Sequence, residues 1–250
     1  MKRKDLGQHF LIDNNVIQDE IRFANLNIND VVLEIGPGKG ALTIPMSKKV
    51  KQVIAIEKDK SLYDQLIPIV PNNVKLICAD ALKVDFSELF NVTKIVSNLP
   101  YKISSPITFR LLSNDFEKAI LIYQKEFADR MVAKPYTKNY CRLSVGVYYQ
   151  AFSRILRIVP RTCFSPQPKI ESCIVELIPR KKPAFKVKDE QLFFQLTKDL
   201  FNHRRKKIKT IIKNKYNIET EIPFSDSRVE MLSPLQIGTI CDLISDFQDE

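Results

Sequence analysis

Four consecutive residues, Asn98-Leu99-Pro100-Tyr101, combine a side-chain amide, a proline and an aromatic ring. The exocyclic amine of adenine is a poor nucleophile because its lone pair is delocalised into the ring. Two acceptors aimed at its hydrogens, the Asn98 amide oxygen and the Leu99 carbonyl, would draw the nitrogen towards a nucleophilic, tetrahedral geometry. Pro100 would fix the local backbone, and Tyr101 offers a face on which a base can stack. This segment therefore favours methyl transfer to the amine of a base that is splayed out of its surroundings.

A glycine-rich turn lies earlier in the chain, where Gly36, Gly38 and Gly40 follow the apolar run Val31–Ile35. Glycine allows a tight turn and lets a ligand press against bare backbone. The spacing G-x-G-x-G differs from the G-x-G-x-x-G of most dinucleotide sites, and no Lys-Ser or Lys-Thr pair completes a phosphate-binding P-loop. The turn predicts a ligand-binding loop, with a purely structural turn as the alternative.

Acidic residues at the ends of the next two apolar runs indicate which ligand this would be. Glu57 follows the glycines by about 20 residues, where a carboxylate can accept hydrogen bonds from both ribose hydroxyls. Asp80 is placed to reach the edge of an adenine ring, although a helix N-cap is the competing role. We expect Lys58 and Ala81 in the same site. The pattern fits adenosine without a pyrophosphate and favours S-adenosylmethionine over a nicotinamide cofactor. Because a sulfonium is a good leaving group, no metal is required.

Short apolar runs rich in Val and Ile alternate with helical patterns, and they predict the elements that position these residues. This alternation indicates right-handed crossovers and a mainly parallel sheet covered on both faces. The last two strands are expected to form an antiparallel pair at the sheet edge. The predicted strands are Val31–Ile35, Gln52–Ile56, Val74–Cys78, Thr93–Ser97, Ala119–Tyr123, Arg154–Val159 and Ser172–Ile178, and the predicted helices include Ala41–Val50, Lys60–Ile69 and Pro234–Phe247.

The composition changes near residues 179–184. From Arg180 to Asn217 there are 13 Lys or Arg against three acids, and the apolar residues take a helical spacing. We therefore expect two domains, a catalytic domain at residues 1–180 and a basic, all-helical domain that binds RNA at residues 181–250.

Net charge, cysteine content and hydropathy limit the classes of protein to which this chain can belong. The 250 residues carry a formal net charge of +10, which indicates an anionic partner such as nucleic acid, with a lysine-rich background as the alternative. The five cysteines are scattered without a C-x-x-C spacing, which favours a reducing compartment over a disulfide framework. No window approaches the roughly 18 apolar residues of a membrane span. We expect a cytoplasmic protein.

The segment Asn98–Tyr101 resembles the [N/D]-[P/I/L]-P-[Y/F/W] signature of amino-group methyltransferases. Its Leu variant resembles the ribosomal RNA adenine dimethyltransferase family, and the resemblance extends over nearly the whole chain. It implies an α/β fold of the Rossmann-like, class I S-adenosylmethionine-dependent type, with a mainly parallel seven-stranded sheet and a small C-terminal all-helical domain. It also implies that Asn98 contributes to both the catalytic and the cofactor sites.

Two further segments carry the resemblance. Gly7-Gln8-His9-Phe10-Leu11 is similar to the family's N-terminal cofactor motif, which implies that Gln8, His9 and Leu11 line the S-adenosylmethionine site. Phe164-Ser165-Pro166-Gln167-Pro168-Lys169 begins a segment similar to the family's F-x-P-x-P-K-x-x-S loop. That similarity implies that Phe164 stacks on the target adenine opposite Tyr101 and that Lys169 supports RNA contact. Without it, Phe164 would be assigned to the core.

The basic run after Phe201 indicates a branch of the family. Arg204, Arg205, Lys206 and Lys207 resemble the A-F-x-x-R-R-K segment of the small-subunit enzymes, and we expect them to contact RNA phosphates. The alternative for each is a solvated helix face. The resemblance implies dimethylation of two adjacent adenosines near the 3′ end of small-subunit rRNA, an immature small subunit as partner, and a monomer. A large-subunit methylase of the erythromycin-resistance type, a ribosome-assembly factor on the same fold and a DNA adenine methyltransferase are the alternatives.

Overall fold

The computed structural model describes residues 8–89 and 91–248. The chain divides into two compact units, Met1–Ala128 with Phe152–Pro179 and Asp129–Ala151 with Arg180–Glu250. The division after residue 179 lies close to the expected boundary at residue 180. Residues 1–180 were expected to form one unit, but Asp129–Ala151 belong to the second unit. These residues cluster with the C-terminal helices because Tyr140, Val145 and Tyr149 supply part of the apolar core there.

The first unit is built on a seven-stranded sheet in the order β4-β3-β2-β5-β6-β9-β7. Strands β2 to β6 pair in parallel, and β9 pairs antiparallel with β6, so the sheet is mainly parallel as expected. The seventh strand, β7, lies at the edge next to β9. The strands of this sheet are β2 (Val31–Ile35), β3 (Gln52–Glu57), β4 (Val74–Cys78), β5 (Lys94–Asn98), β6 (Lys118–Gln124), β7 (Ala151–Val159) and β9 (Ser172–Pro179).

Helices and one additional strand pair complete this part of the chain. Every residue of β2 is buried, as a parallel strand covered on both faces requires. A two-stranded antiparallel pair, β1 (Phe10–Leu11) with β8 (Phe164–Ser165), was not predicted from the sequence. The helices are α1 (Asn14–Ala24), α2 (Thr43–Ser47), α3 (Lys60–Leu66), α4 (Ser104–Leu112) and α5 (Lys125–Met131), so the predicted helices Ala41–Val50 and Lys60–Ile69 are both longer than the observed ones.

The second unit is helical. Its helices α7 and α9 enclose a core that contains Phe193, Leu196 and Ile240, and Tyr149 packs against Phe193 with ring centroids 4.9 Å apart. Within the described residues no helix is long and apolar enough to cross a membrane. The helices are α6 (Arg142–Gln150), α7 (Glu190–Asn202), α8 (Ile208–Tyr216) and α9 (Pro234–Gln248).

A buried ion pair closes the end of the sheet where β2 and β5 begin. Lys94 Nζ lies 2.8 Å from Asp30 Oδ2, and the two side chains are only 7% and 4% exposed. The same ammonium donates to the Asn25 carbonyl at 2.7 Å, and Thr93 Oγ1 donates to Asp30 Oδ1 at 2.9 Å. Burial opposes ionisation of Asp30, but these hydrogen bonds and the Lys94 charge hold its pKa below the usual value.

We predict that Lys94→Met lowers the free energy of unfolding by about 3 kcal/mol, because it leaves the Asp30 carboxylate buried without its cation. Urea unfolding at neutral pH measures this change. Lys48→Met, at an exposed lysine, is the control and should change stability by less than about 0.5 kcal/mol. The double variant Asp30→Asn/Lys94→Met should recover part of the loss; equal losses in the single and double variants would contradict the ion-pair argument.

Candidate active site

A cavity of about 210 Å³ opens where β2, β3 and β5 end. In open parallel sheets ligands bind at this carboxyl edge, because loops from several strands converge there. The walls come from four segments of the first unit: β1 with its flanks, the glycine turn, the end of β3 and the loop after β5. The lining residues that the sequence predicted are Gln8, His9, Leu11, Gly36, Gly38, Glu57, Asn98, Leu99, Pro100 and Tyr101.

The glycine turn has backbone conformations that only glycine adopts readily. Gly36 and Gly38 have φ of +73° and +57°, and the Gly36 amide donates to the Ile56 carbonyl at 2.8 Å. A Cβ on Gly38 would lie 3.1 Å from two ring atoms of Phe10, and one on Gly36 would lie 3.5 Å from Pro100. A side chain at Gly38 would therefore crowd the Phe10 ring of β1, whereas at Gly36 the positive φ and not the space favours glycine.

Glu57 presents a fixed carboxylate to the cavity. Its Oε2 accepts from the Gly38 amide at 3.1 Å, and its Oε1 accepts from the Asp59 amide at 2.8 Å. Burial raises the pKa of Glu57, and these backbone hydrogen bonds oppose that effect. Each carboxylate oxygen can accept more than one hydrogen bond, so this orientation fits an acceptor for ribose hydroxyls.

A second carboxyl group, Glu34, lies in the cavity wall and is 2% exposed. Thr43 Oγ1 donates to its Oε2 at 2.6 Å, and burial raises its pKa to about 8. Behind it lies Glu20 of α1, fully buried, with neither carboxylate oxygen hydrogen bonded. Burial and the neighbouring Glu34 charge raise the pKa of Glu20 well above its usual value. With a pKa of about 8, Glu34 is largely protonated near neutral pH. A cationic group beside it would favour its ionised form, and S-adenosylmethionine carries both a sulfonium and an ammonium.

The amide of Asn98 is oriented by the N-terminal strand. Asn98 Nδ2 donates to the His9 carbonyl at 3.4 Å, which leaves Oδ1 as an acceptor. Leu99 is 1% exposed, and Pro100 holds φ at −59° as the chain enters a 3-10 helix at Tyr101. The segment therefore places an amide acceptor and a rigid backbone at the cavity, as the predicted chemistry needs.

Two rings meet at one side of the cavity. The ring centroids of His9 and Tyr101 lie 5.6 Å apart. His9 Nδ1 lies 2.7 Å from the Pro166 carbonyl oxygen and therefore donates this hydrogen bond. Tyr101 Oη lies 2.7 Å from Ser172 Oγ, and burial raises the pKa of the phenol. The Tyr101 ring is thus held at the cavity by its hydroxyl group.

Three predicted cofactor residues do not line the cavity. Lys58 Nζ lies 2.8 Å from Asp80 Oδ2 in an exposed ion pair, and Asp80 Oδ1 accepts from the Leu82 amide at 3.0 Å. Ala81 is buried. Asp80 thus stabilises a turn at residues 81–83 and does not cap a helix, and contacts of these residues with the adenine remain a prediction.

The Phe164 ring is buried. Its side chain is 1% exposed and belongs to the hydrophobic core of the first unit, while its neighbour Ser165 lines the cavity. Phe164 pairs with Leu11 across β1 and β8, and both side chains belong to this core. The structure therefore gives the ring a packing role, and the expected stacking of Phe164 on an adenine remains a prediction. Lys169, expected to contact RNA, is exposed.

In the second unit, the four basic residues predicted to contact RNA differ in whether they form ion pairs within the protein. Arg204 makes internal contacts, with Nε 2.5 Å from Glu230 Oε2, and Lys207 pairs with Asp226 at 2.8 Å. Arg205 and Lys206 are exposed and form no ion pair with the described residues. The charge run alone could not separate these roles, since they depend on acids distant in sequence.

The family model for "Ribosomal RNA adenine dimethylase" matches residues 1–248. The chain belongs to this family. It is an S-adenosylmethionine-dependent ribosomal RNA adenine dimethyltransferase, and its fold is that of the class I methyltransferases. The prediction of the family, the fold and the cofactor from the sequence is confirmed.

Relatives and solved structures agree with this assignment. A Methanococcus maripaludis (strain C6) protein described as "Probable ribosomal RNA small subunit methyltransferase A" is 47% identical over 93% of this chain and 88% of its own length. The crystal structure of a Plasmodium falciparum dimethyladenosine transferase has a TM-score of 0.80 at 28% identity, covering 96% of this chain and 98% of that one. The 23S rRNA methyltransferase ErmE shares the fold, with a TM-score of 0.68 at 24% identity, covering 94% and 99%.

Sequence reasoning missed several residues of the cavity wall, among them Phe10, Glu34 and Ser165. Glu34 lies two residues before Gly36, near the end of β2, so its position close to the glycine turn was available as a signal. Ser165 reaches the cavity only through the pairing of β8 with β1, which no local pattern indicates.

We predict that Glu20→Leu stabilises the protein, and more strongly as the pH rises. Because the pKa of Glu20 is raised in the folded state, the unfolded chain binds fewer protons above about pH 4.5, so wild-type stability falls as the pH increases. The gain should be measurably larger at pH 8 than at pH 5, because burial of the ionised carboxylate costs stability only as the pH rises. Thermal unfolding at both pH values measures it. Glu117→Leu, at an exposed glutamate, is the control, and an equal gain at both pH values would contradict the prediction.

Proposed function

We propose that this protein dimethylates the N6 amines of two adjacent adenosines near the 3′ end of small-subunit rRNA and thereby acts in small-subunit biogenesis. The observation that carries the proposal is the orientation of Asn98, whose Nδ2 donates to the His9 carbonyl and whose Oδ1 is left as the acceptor. The choice of ribosomal subunit is supported by relatives described as small-subunit methyltransferases, at 43% to 47% identity.

The residues of the cavity fit the cofactor. Glu57 would hold the ribose hydroxyls, the turn at Gly36 and Gly38 would lie against the nucleoside, and Glu34 would face positive charge. S-adenosylmethionine, when bound, supplies an electrophilic methyl group on a sulfonium leaving group. The remaining steps depend on side chains and backbone of this chain.

The chain's contribution to the reaction is to hold the target amine. Asn98 Oδ1 and the Leu99 carbonyl would accept the two N6 hydrogens, which localises the nitrogen lone pair towards the incoming methyl group. Tyr101 would stack on the base, and its hydrogen bond to Ser172 keeps the ring in place. Neither Asn98 nor Leu99 is a base, so the proton leaves after transfer, when the methylated nitrogen is cationic and acidic.

We predict that Asn98→Ala reduces methyl transfer by about 100-fold or more, the usual cost of losing one hydrogen-bonding group that stabilises a transition state. Binding to small-subunit particles should stay within a few-fold of wild type. The assay follows labelled methyl groups into particles that lack the modification, with product mapping. Asn98→Asp, which keeps an acceptor in place, serves as the matched variant and should retain more activity than Asn98→Ala.

The same assay decides between ribosomal subunits. Label in the two adjacent small-subunit adenosines is the expected result. Label only in large-subunit RNA would overturn the choice of subunit but not the chemistry. A wild-type protein that binds particles without transferring label would favour an assembly factor.

We also propose that the second unit contacts phosphates through Arg205 and Lys206, which are exposed. The double variant Arg205→Gln/Lys206→Gln should weaken particle binding and reduce the slope of log affinity against log salt by roughly 1.5, since each phosphate contact contributes about 0.7–0.9. Filter binding over a range of salt concentrations measures the slope. Lys48→Gln/Lys49→Gln, at exposed lysines of the first unit, removes the same charge elsewhere. An unchanged slope in the Arg205/Lys206 variant would refute these contacts.

We propose that the protein is a cytoplasmic monomer. Its proposed partner is the immature small ribosomal subunit. The excess of basic residues supports an rRNA-containing partner. Light scattering of the purified protein should give the mass of one chain.

A further inference from the structure

One aromatic side chain of the second unit is exposed in a way that hydrophobic burial does not explain. Tyr136 is 74% exposed, the largest value among the exposed large hydrophobic side chains of the described residues. Its backbone has φ of +67°, a left-handed conformation that side chains other than Gly and Asn rarely adopt. Strained backbone that persists in a fold is concentrated where ligands are bound.

The loop that carries this ring is fixed at several points. The Tyr136 amide donates to the Glu230 carbonyl at 2.8 Å. Arg204 donates to the carbonyl oxygens of the next two residues, Thr137 at 3.2 Å and Lys138 at 3.0 Å, and pairs with the Glu230 carboxylate. These contacts neutralise the one acid at the loop and hold the backbone on both sides of the ring. Tyr136 therefore projects from a loop whose backbone is held in place by hydrogen bonds.

The surroundings of the ring are basic. Lys134 and Lys138 lie on the same loop and are exposed, without an ion pair among the described residues. Arg205 and Lys206, equally exposed, follow the arginine that is bonded to the loop. An exposed aromatic ring on a loop that also carries lysines suits the binding of an unpaired base, since the ring can stack on the base and the cations can contact neighbouring phosphates.

We propose that Tyr136 is a stacking platform for an unpaired base of the rRNA, separate from the adenine site at Asn98–Tyr101. The proposal rests on the proposed function for its RNA partner and adds a contact to it. It also assigns Arg204 a positioning role, because this side chain holds the loop carbonyls instead of reaching a phosphate.

The first test replaces the ring without adding strain. Asn tolerates the left-handed conformation, so Tyr136→Asn should keep or raise the melting temperature. It should weaken binding to unmethylated small-subunit particles by about tenfold, within the range measured for loss of one stacked base. Tyr136→Phe, which keeps the ring, should bind within about twofold of wild type. Phe224→Asn is the matched control, because Phe224 is also an aromatic residue in the left-handed region, with φ of +61°, but is 39% exposed. It should bind like wild type.

The second test identifies the partner directly. Tyr136→p-azidophenylalanine, irradiated on the particle, should cross-link to rRNA. Cross-linking to a ribosomal protein, or the absence of a cross-link, would overturn the proposal, as would wild-type affinity in Tyr136→Asn. Failure of the proposed function has a different signature, because wild-type protein would then transfer no label to small-subunit RNA.

Discussion

The site depends on one hydrogen bond, from the Gly38 amide to the Glu57 carboxylate. Parallel pairing of β2 with β3 brings the glycine turn and Glu57 to the same edge of the sheet. The positive φ of Gly38 favours glycine in this turn, and a Cβ on Gly38 would lie only 3.1 Å from the Phe10 ring. Phe10 in turn places its neighbour His9, whose carbonyl orients Asn98. Glu57 and Asn98, the residues proposed to hold the cofactor and the target amine, are therefore positioned through the same few residues.

The parts of the fold that the sequence predicts are those decided by local pattern. Buried parallel strands are nearly continuous apolar runs, so β2 to β6 were located to within a residue or so at their ends. The pairing of β1 with β8 was missed because each strand has two residues and the partners are more than 150 residues apart. That pairing also places Phe164, whose side chain lies with that of its partner Leu11 in the core of the first unit, while Ser165 lines the cavity.

The second unit shows why a run of charged residues predicts the role of each side chain less well than a run of apolar residues predicts a buried strand. Arg204 and Arg205 are adjacent and chemically identical, yet one holds a loop through Glu230 and two carbonyls while the other is exposed. The difference comes from residues far away in sequence, which the arginines' own neighbours do not reveal. The inclusion of Asp129–Ala151 in this unit has the same origin, because the packing of Tyr149 against Phe193 is a tertiary contact.

The excess of basic residues behind the net charge of +10 does not extend to the cavity wall, where Glu34 and Glu57 accompany Lys39. The cavity wall holds Glu34 and Glu57, with Glu20 behind Glu34. With a pKa of about 8, Glu34 is largely protonated near neutral pH, so the wall carries little fixed negative charge from it before a ligand binds. A cationic group of a ligand beside Glu34 would favour its ionised form. The preference of the wall for a cationic ligand would therefore arise from the ionisation that binding itself favours.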